Sequence, residues 1–190
     1  FKTNQSLLVK FLPDDRQPLI DKSENIPQGP TVSVNQGQTA QNRTYQDLLK
    51  DHADEFNFEQ LVRSELYRVD LGGRKTLWKG DAMYRGVSFS PDGKYVMVTT
   101  IERPFSYIVP FYRFPNTTVV YDQQGNEVKK ILEVPLTEDL PQGFMAVRKG
   151  MRNLNWRSDE PAGSMHVVVA GQVQQVLADP VLDVVRSRAG

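Results

Sequence analysis

Phe89-Ser90-Pro91-Asp92-Gly93-Lys94-Tyr95-Val96-Met97-Val98 is the stretch of sequence that decides the fold. It consists of an aromatic residue, a short polar turn and an apolar run. Proline presets φ, aspartate hydrogen-bonds its own backbone and glycine takes a positive φ, so Pro91-Asp92-Gly93 favours a tight turn. The apolar run after it predicts a β-strand.

The same pattern occurs in two further places. Phe1 precedes the polar residues 2–6 and the apolar run 7–11, and Trp156 opens residues 156–162, which lead toward Val167-Val168-Val169. An aromatic residue, a short turn and an apolar strand are typical of the inner strands of propeller blades. The sequence therefore predicts a mainly β chain with a partial β-propeller of about two to three blades over residues 1–162.

Two hairpins lie between these copies. Residues 65–71 and 75–78 flank Gly72-Gly73, and residues 118–122 and 128–132 flank a turn through Gly125-Asn126. These patterns predict antiparallel outer strands. The copies are 88 and 67 residues apart, counted from the aromatic positions 1, 89 and 156. Plain blades run about 40–50 residues, so we expect insertions.

The first insertion covers about residues 13–60. Residues 13–41 are rich in Pro, Gly, Gln and Asn, and predict a long loop. Thr44 and Asp47 resemble a capping box and predict that a helix opens there and continues through residues 51–61. A second insertion is the loop at residues 102–115, and a third lies between Leu132 and Trp156.

The loop Glu102–Pro115 holds three prolines, five aromatic residues and two arginines in fourteen residues. Proline removes a backbone donor and biases the preceding residue toward extended geometry, so we expect a stiff, non-repeating path. Arg103 and Arg113 among aromatic rings are able to hold a carboxylate, while the rings exclude water. A second interpretation stays open, in which the arginines only cap carbonyls or stack on rings of a rigid connection.

Composition excludes several classes of site. The 23 basic and 23 acidic residues balance, and the chain has no cysteine for a disulfide, a thiolate metal site or a nucleophile. No apolar run approaches the roughly 20 residues that span a bilayer. His52 beside Asp51, Asp54 and Glu55 suggests a metal site weakly, and solvated acids around a surface histidine are the favoured interpretation. We expect no cofactor and no metal.

No complete catalytic machinery is visible in the sequence. There is no Gly-x-Ser-x-Gly motif, no phosphate-binding loop and no His-x-x-x-His pair, and His52 and His166 are the only histidines. Arg148, Lys149, Arg152 and Arg157 near Trp156 resemble a phosphate-binding surface, but neighbouring acids favour internal pairing, so we expect no nucleic acid.

The tail, residues 163–190, differs in amino-acid composition from the rest of the chain. Its strand-like residues 166–170 precede a small-aliphatic, glutamine-rich segment, 172–188, that predicts helix, with Asp179-Pro180 marking a second helix start. The result is an uncertain short α/β tail. A non-native end and a capping helix both stay open as interpretations.

Several long motifs resemble the propeller of glutamyl endopeptidase-type members of the prolyl oligopeptidase family. They cover about residues 1–162, and the similarity ends at Gly163. The motifs are Asn42–Asp51, Ser106–Pro110, Arg113–Pro115, Pro135–Asp139 and Val147–Arg157.

The resemblance implies an N-terminal propeller over a C-terminal α/β-hydrolase domain, absent here, that carries a Ser-Asp-His triad. The propeller of that family restricts access and contacts the peptide substrate. If peptides are cut after glutamate, a basic group should meet the carboxylate. Arg103 and Arg113 are the candidates, with Tyr107 and Tyr112 as wall or hydrogen-bond partners, and Arg148 and Arg152 in reserve. No catalytic residue is expected in this chain.

Two function classes follow. One is a non-catalytic propeller segment of a serine peptidase, inactive alone; the other is a stand-alone binding or structural fragment. The chain starts Phe-Lys-Thr without an initiator methionine or a leader, so we expect the interior of a longer protein. The resemblance suggests a periplasmic or secreted parent. Open blade edges predict partial order, aggregation or self-association for the fragment alone.

Overall fold

Antiparallel pairing between consecutive strands organises the chain. The structure is a computed structural model that describes residues 5–23, 45–138, 151–156, 165–169 and 172–176. Within these residues lie one α-helix and nine strands: β1 Ser6–Phe11, α1 His52–Val62, β2 Ser64–Asp70, β3 Lys75–Phe89, β4 Tyr95–Ile101, β5 Asn116–Asp122, β6 Glu127–Val134, β7 Arg152–Trp156, β8 Met165–Val169 and β9 Gln172–Val176. A short 3-10 helix spans Phe111–Arg113.

Strands β1 to β6 form one six-stranded meander in chain order. Strand β3 belongs to two parts of it. Its first half pairs with β2, from Lys75↔Val69 to Ala82↔Ser64, and its second half pairs with β4, from Met83↔Ile101 to Phe89↔Val96. One continuous strand therefore joins a three-stranded meander to a four-stranded one.

The predicted turns form as their residues require. Gly93 takes φ +70° and donates to the carbonyl of Ser90 at 2.8 Å, while Asp92 Oδ1 accepts from Ser90 Oγ at 2.7 Å. Gly73, at φ +82°, and Gly125, at φ +85°, lie in the other two hairpin turns. Left-handed backbone suits glycine, which has no Cβ to clash. The two predicted hairpins, and the strand predicted after Pro91-Asp92-Gly93, are confirmed.

The helix begins later than the sequence predicted. Residues 45–50 are not helical, and Asp47 has a left-handed φ of 56°. Asp51 is the N-cap: its Oδ1 accepts from the backbone N–H of Asp54 at 2.9 Å, and Asp54 Oδ2 accepts from Lys50 N at 2.9 Å. The helix thus starts with the Asp51 side chain bonded to Asp54 N and the Asp54 side chain bonded back to Lys50 N, the residue before the cap. The prediction of a start around Thr44 and Asp47 was wrong.

Residues 12–23 form neither helix nor strand. This agrees with the loop predicted for residues 13–41. Residues 12–23 are tied to α1 by polar contacts. Asn57 Oδ1 accepts from Ile20 N at 2.7 Å, and the buried Gln60 accepts from Gln17 N at 2.9 Å. These side chains satisfy backbone donors that no strand partner reaches.

Three apolar clusters stabilise the sheet and its helix. The first lies around Tyr95, Met97 and Val120, and Trp156 of β7 packs against it. The second, on the other side of β4, contains Leu66, Trp78, Tyr84, Val96 and Val98. The third contains Met83, Ile101, Phe105, Val109 and Phe114, with Phe58 and Val62 of α1 against it.

Strands β7, β8 and β9 form a second antiparallel sheet. The strand predicted within residues 166–170 is confirmed as β8. The helix predicted over residues 172–188 was wrong for residues 172–176, which form β9. Val173 and Val176 are three residues apart, as in a helix, but pairing with β8 places them in a strand. The rest of the tail, and the turn predicted within residues 157–162, lie outside the described residues.

The mainly β architecture with one inserted helix agrees with the prediction of fold class. The six-stranded sheet is open, with β1 and β6 at its edges. None of the helices in the described ranges is long and apolar enough to cross a membrane.

Candidate functional site

The predicted loop, residues 102–115, connects β4 to β5 and closes on itself. The backbone N–H of Glu102 donates to the carbonyl of Pro115 at 2.8 Å, so the ends of the loop meet. Near its C-terminal end, Arg113 N donates to Pro110 O at 2.9 Å in the short 3-10 turn. Such loops, with joined ends and their own packed side chains, are frequently functional.

The inner side of the loop is apolar and packed. The Phe105 and Phe114 rings stack with centroids 5.2 Å apart, and Phe58 of α1 meets Phe114 edge-on at 5.7 Å. Phe114 is 1% exposed and Val109 3% exposed. The loop is therefore anchored to the sheet and the helix by a core of its own, as the prediction of a stiff path requires.

Ser106 joins the loop to the segment after β6. Its buried Oγ donates to Glu138 Oε1 at 2.6 Å and accepts from Ile108 N at 3.1 Å. The carbonyl of Arg113 accepts from Thr137 N at 3.1 Å. The loop is thus hydrogen-bonded to residues 137–138 and also packed against α1.

Arg103, the first predicted site residue, contacts α1. Its Nη2 lies 2.6 Å from Glu59 Oε2 and its Nη1 3.2 Å from Glu55 Oε2, and its guanidinium lies 4.5 Å from the centre of the Phe105 ring. The hydrogen bond to Glu59 raises the pKa of Arg103, although burial opposes it. Two carboxylates of this chain already occupy the fork that was predicted to bind a substrate carboxylate.

Tyr107 lies on the same side of the loop, next to the first turn of α1. Its hydroxyl is 3.3 Å from His52 Nδ1, and a hydrogen bond with Glu55 raises the pKa of Tyr107. Burial alone would raise the pKa of Glu55, but hydrogen bonds from Tyr107 and Arg103 outweigh it and hold that pKa below its ordinary value. Tyr107 and Arg103 thus meet at one carboxylate.

Arg113 and Tyr112 lie on a different part of the loop. The Arg113 guanidinium lies 5.2 Å from the centre of the Tyr45 ring, a cation–π contact, and among the described residues no carboxylate pairs with it. Tyr112 is 49% exposed and meets the exposed Phe111 ring edge-on at 6.0 Å. The structure therefore divides the four predicted residues into two pairs. Arg103 and Tyr107 are exposed and contact α1, whereas Arg113 is partly buried over the Tyr45 ring and Tyr112 is exposed beside Phe111.

One further arginine reaches the loop, and the sequence did not predict it. Arg85 of β3 is exposed, and its Nη1 lies 3.4 Å from the carbonyl oxygen of Tyr112. The acidic partners Glu55 and Glu59 were likewise not predicted as partners of the loop. The i, i+4 spacing of two glutamates on a predicted helix was the available signal for the latter pair.

The remaining sequence candidates have no described site. Arg148 lies outside the described residues, and the structure describes the position of Arg152 in β7 but not its side chain. Within the described ranges, no group of three or more His, Cys, Asp or Glu residues is arranged to hold a metal ion.

Two curated plant proteins are similar to most of the chain. The chain is 39% identical over 161 residues to "Probable glutamyl endopeptidase, chloroplastic" of Arabidopsis thaliana, which is 84% of this chain and 17% of that protein. It is 38% identical over 160 residues to a protein of the same name from Oryza sativa subsp. japonica, with the same coverage. The chain is similar to one segment of these proteins.

The matched segment is a small part of each relative. The chain spans about a sixth of their length, since the match covers 17% of each. No family model matches the chain. No solved structure matches it either.

Proposed function

We propose that this chain is a non-catalytic segment of a glutamyl endopeptidase-like serine peptidase of the prolyl oligopeptidase family. The observation that carries the proposal is the 39% identity over 161 residues to a probable glutamyl endopeptidase. The absence of a Gly-x-Ser-x-Gly motif from the sequence agrees with a nucleophile located elsewhere in the parent. In the proposal, the triad belongs to an α/β-hydrolase domain that packs against this segment.

The strand order supports the propeller part of the proposal. The second half of β3, with β4, β5 and β6, makes a four-stranded antiparallel meander. Four-stranded meanders are the repeating unit of β-propellers. In this interpretation β1, β2 and the first half of β3 are three strands of the preceding blade, and β7 to β9 belong to a following one.

The loop at residues 102–115 is the part of the segment that we propose gates access and contacts the peptide substrate. Arg113 is the first candidate for binding a carboxylate, because its guanidinium lies over the Tyr45 ring and, among the described residues, forms no ion pair. Arg103 is the second, since a substrate would have to compete with Glu55 and Glu59. Tyr107 and Tyr112 would form the wall beside them.

Cleavage by the full-length protein tests the proposal. We expect hydrolysis after Glu to exceed hydrolysis after Gln in matched peptides. Arg113→Gln should reduce kcat/KM for the Glu peptide about tenfold to a hundredfold more than for the Gln peptide, because a charge-assisted hydrogen bond is worth about 1.5–3 kcal/mol. Arg103→Gln should reduce that preference less.

Arg74→Gln is the matched control, since Arg74 is an exposed arginine in the β2–β3 turn that pairs with Asp70. Equal losses on both peptides would leave Arg113 with a structural role only. Absence of any peptidase activity, or of labelling by a fluorophosphonate, would overturn the peptidase proposal itself.

The second candidate is a stand-alone binding or structural fragment. It is favoured by the packing of the loop against α1 within this chain. The open edges at β1 and β6 predict self-association of the isolated chain, since unpaired strand edges recruit other strands. A monomer by light scattering that unfolds in one cooperative step would favour the stand-alone fragment.

A further inference from the structure

Arg85 is the extra residue of a β-bulge. On either side of it, Tyr84 pairs with Thr100 and Gly86 pairs with Thr99, so two steps along β3 match one step along β4. Arg85 therefore has no register partner in β4. Bulges re-aim a side chain and are over-represented beside active sites.

The bulge directs Arg85 toward the loop. Its Nη1 lies 3.4 Å from the carbonyl oxygen of Tyr112, and no acidic side chain pairs with it in the part of the chain that the structure describes. By contrast, Arg63 is held between Asp15 and Asp81, and Arg103 between Glu55 and Glu59. Arg85 keeps most of its five donors for another acceptor.

Exposed aromatic rings and a second cation lie along the same stretch of loop. Phe111 is 50% exposed and Tyr112 49% exposed, and Arg113 follows them in the chain. We call Arg85, Phe111, Tyr112 and Arg113 the arginine–aromatic surface. Its charge complements an anion, and its rings provide apolar area that a bound segment would cover.

We propose that Arg85 is a further specificity-determining residue, which binds a carboxylate side chain of a peptide on the arginine–aromatic surface. The guanidinium fork matches a carboxylate with two parallel hydrogen bonds, whereas Phe111 and Tyr112 contact the apolar residues beside it. The identity of the ligand as peptide rests on the proposed function. The role of Arg85 does not depend on the position of any triad.

Binding to the chain itself tests this proposal. The probes are two short blocked, fluorescent peptides that carry one Glu, or Gln in its place, between apolar residues, and the measurement is fluorescence anisotropy at low and high salt. We expect the chain to bind the Glu peptide at least about tenfold more tightly than the Gln peptide, since one charged pair is worth 1.4 kcal/mol or more. High salt should weaken the binding of the Glu peptide more than the binding of the Gln peptide.

The variants separate the role of Arg85 from charge and folding. Arg85→Gln should remove most of the Glu preference, while Arg85→Lys, which keeps charge but loses the fork, should retain a part of it. Arg74 is an exposed arginine outside the arginine–aromatic surface, so Arg74→Gln should leave the preference for the Glu peptide unchanged. Circular dichroism and a thermal melt of each variant establish that the fold is kept.

Three outcomes would overturn the inference: no binding by the unsubstituted chain, equal affinity for the two peptides, or an unchanged preference in Arg85→Gln. The proposed function fails separately. If the full-length protein has no peptidase activity but the chain prefers the Glu peptide through Arg85, the binding surface stands and the peptidase proposal falls. If cleavage after Glu persists but Arg85→Gln changes nothing, only the present inference falls.

Discussion

Arg103 joins the loop to α1 through Glu59, with 2.6 Å between Arg103 Nη2 and Glu59 Oε2. The two residues are 44 positions apart in the sequence. Glu59 is partly buried and Arg103 half-exposed, so water screens part of the attraction. The pair nevertheless fixes the loop against α1, while the hydrogen bond from Ser106 to Glu138 fixes it to the segment after β6.

Removing this connection should weaken the fold modestly. Arg103→Gln is expected to lower the free energy of unfolding by about 1 kcal/mol, because exposed ion pairs contribute about 0.2–1 kcal/mol and the contact with the Phe105 ring is lost as well. Urea unfolding measures the change. Arg74→Gln serves as control and should stay within about 0.5 kcal/mol of the unsubstituted chain. An equal loss in both variants would contradict a stabilising role for the Arg103–Glu59 ion pair.

Glu55 should make the free energy of unfolding depend on pH in the acid range. Its pKa is lowered in the folded chain, so the stabilisation is present above the unfolded pKa of about 4.3 and is lost as pH falls through the folded value. We expect the difference in unfolding free energy between the unsubstituted chain and Glu55→Gln to shrink below about pH 4.3. Other carboxyls with lowered pKa, among them Asp51 and Glu133, cancel in that difference.

The check is a series of urea titrations between neutral pH and acid. Tyr107→Phe removes one of the hydrogen bonds that lower the pKa of Glu55. The stabilisation by Glu55 should therefore be lost at a higher pH in this variant. A difference between the unsubstituted chain and Glu55→Gln that stays constant from neutral pH down to about pH 3 would rule out the assigned pKa shift.

Two phenylalanines of one loop should differ sharply in their contribution. Phe114→Ala is expected to cost about 3–5 kcal/mol, because the ring is 1% exposed and packs between Phe105 and Phe58. Phe111→Ala should cost less than about 1 kcal/mol, since Phe111 is 50% exposed. Denaturant unfolding of both variants measures the contrast, and similar costs would mean that the loop core is packed differently.

Two hairpin glycines give a matched comparison of strain and close contact. Gly73 and Gly125 have φ of +82° and +85°, but a Cβ at Gly73 would meet nothing within 4 Å, whereas one at Gly125 would lie 2.7 Å from the Trp78 backbone oxygen. Gly73→Ala should cost about 1–2 kcal/mol for left-handed strain alone. Gly125→Ala should cost about 1–3 kcal/mol more, because a backbone atom must shift.

Tryptophan fluorescence gives a second readout for the glycine pair. Trp78 Nε1 donates to the carbonyl of Gln123 at 3.0 Å, next to the turn that contains Gly125. Gly125→Ala should therefore change the emission of the folded chain, while Gly73→Ala should not. Equal losses of stability in the two variants would show that the turn moves freely away from Trp78.

Local signals in the sequence predicted the hairpins well. Gly72-Gly73, Pro91-Asp92-Gly93 and Gly125-Asn126 each specify a turn through their own backbone preferences, and the strands beside them pair with their neighbours. The helix start was misplaced because threonine and aspartate are both good caps, and the sequence alone did not favour Asp51, whose side chain accepts from Asp54 N, over Thr44.

The site was harder to predict because its partners are distant in sequence. The composition of residues 102–115 indicated Arg103 and Arg113 as cations among rings. The i, i+4 spacing of Glu55 and Glu59 indicated only that the two acids share a helix face, not that they reach Arg103. Arg85 was missed for another reason: a bulge in β3 depends on how β4 pairs with it, and a strand pattern alone does not contain that information.

The sharing of β3 between two meanders limits how this region of the gene can be rearranged. A break inside either half of Lys75–Phe89 would cut a strand that one of the meanders uses, so exchange or duplication of whole units is expected to spare both halves. Insertions and deletions are expected instead between β1 and β2, where α1 is already inserted, and between β6 and β7. Lineages that carry this segment should vary in length at those two joints and keep the span of β3 constant.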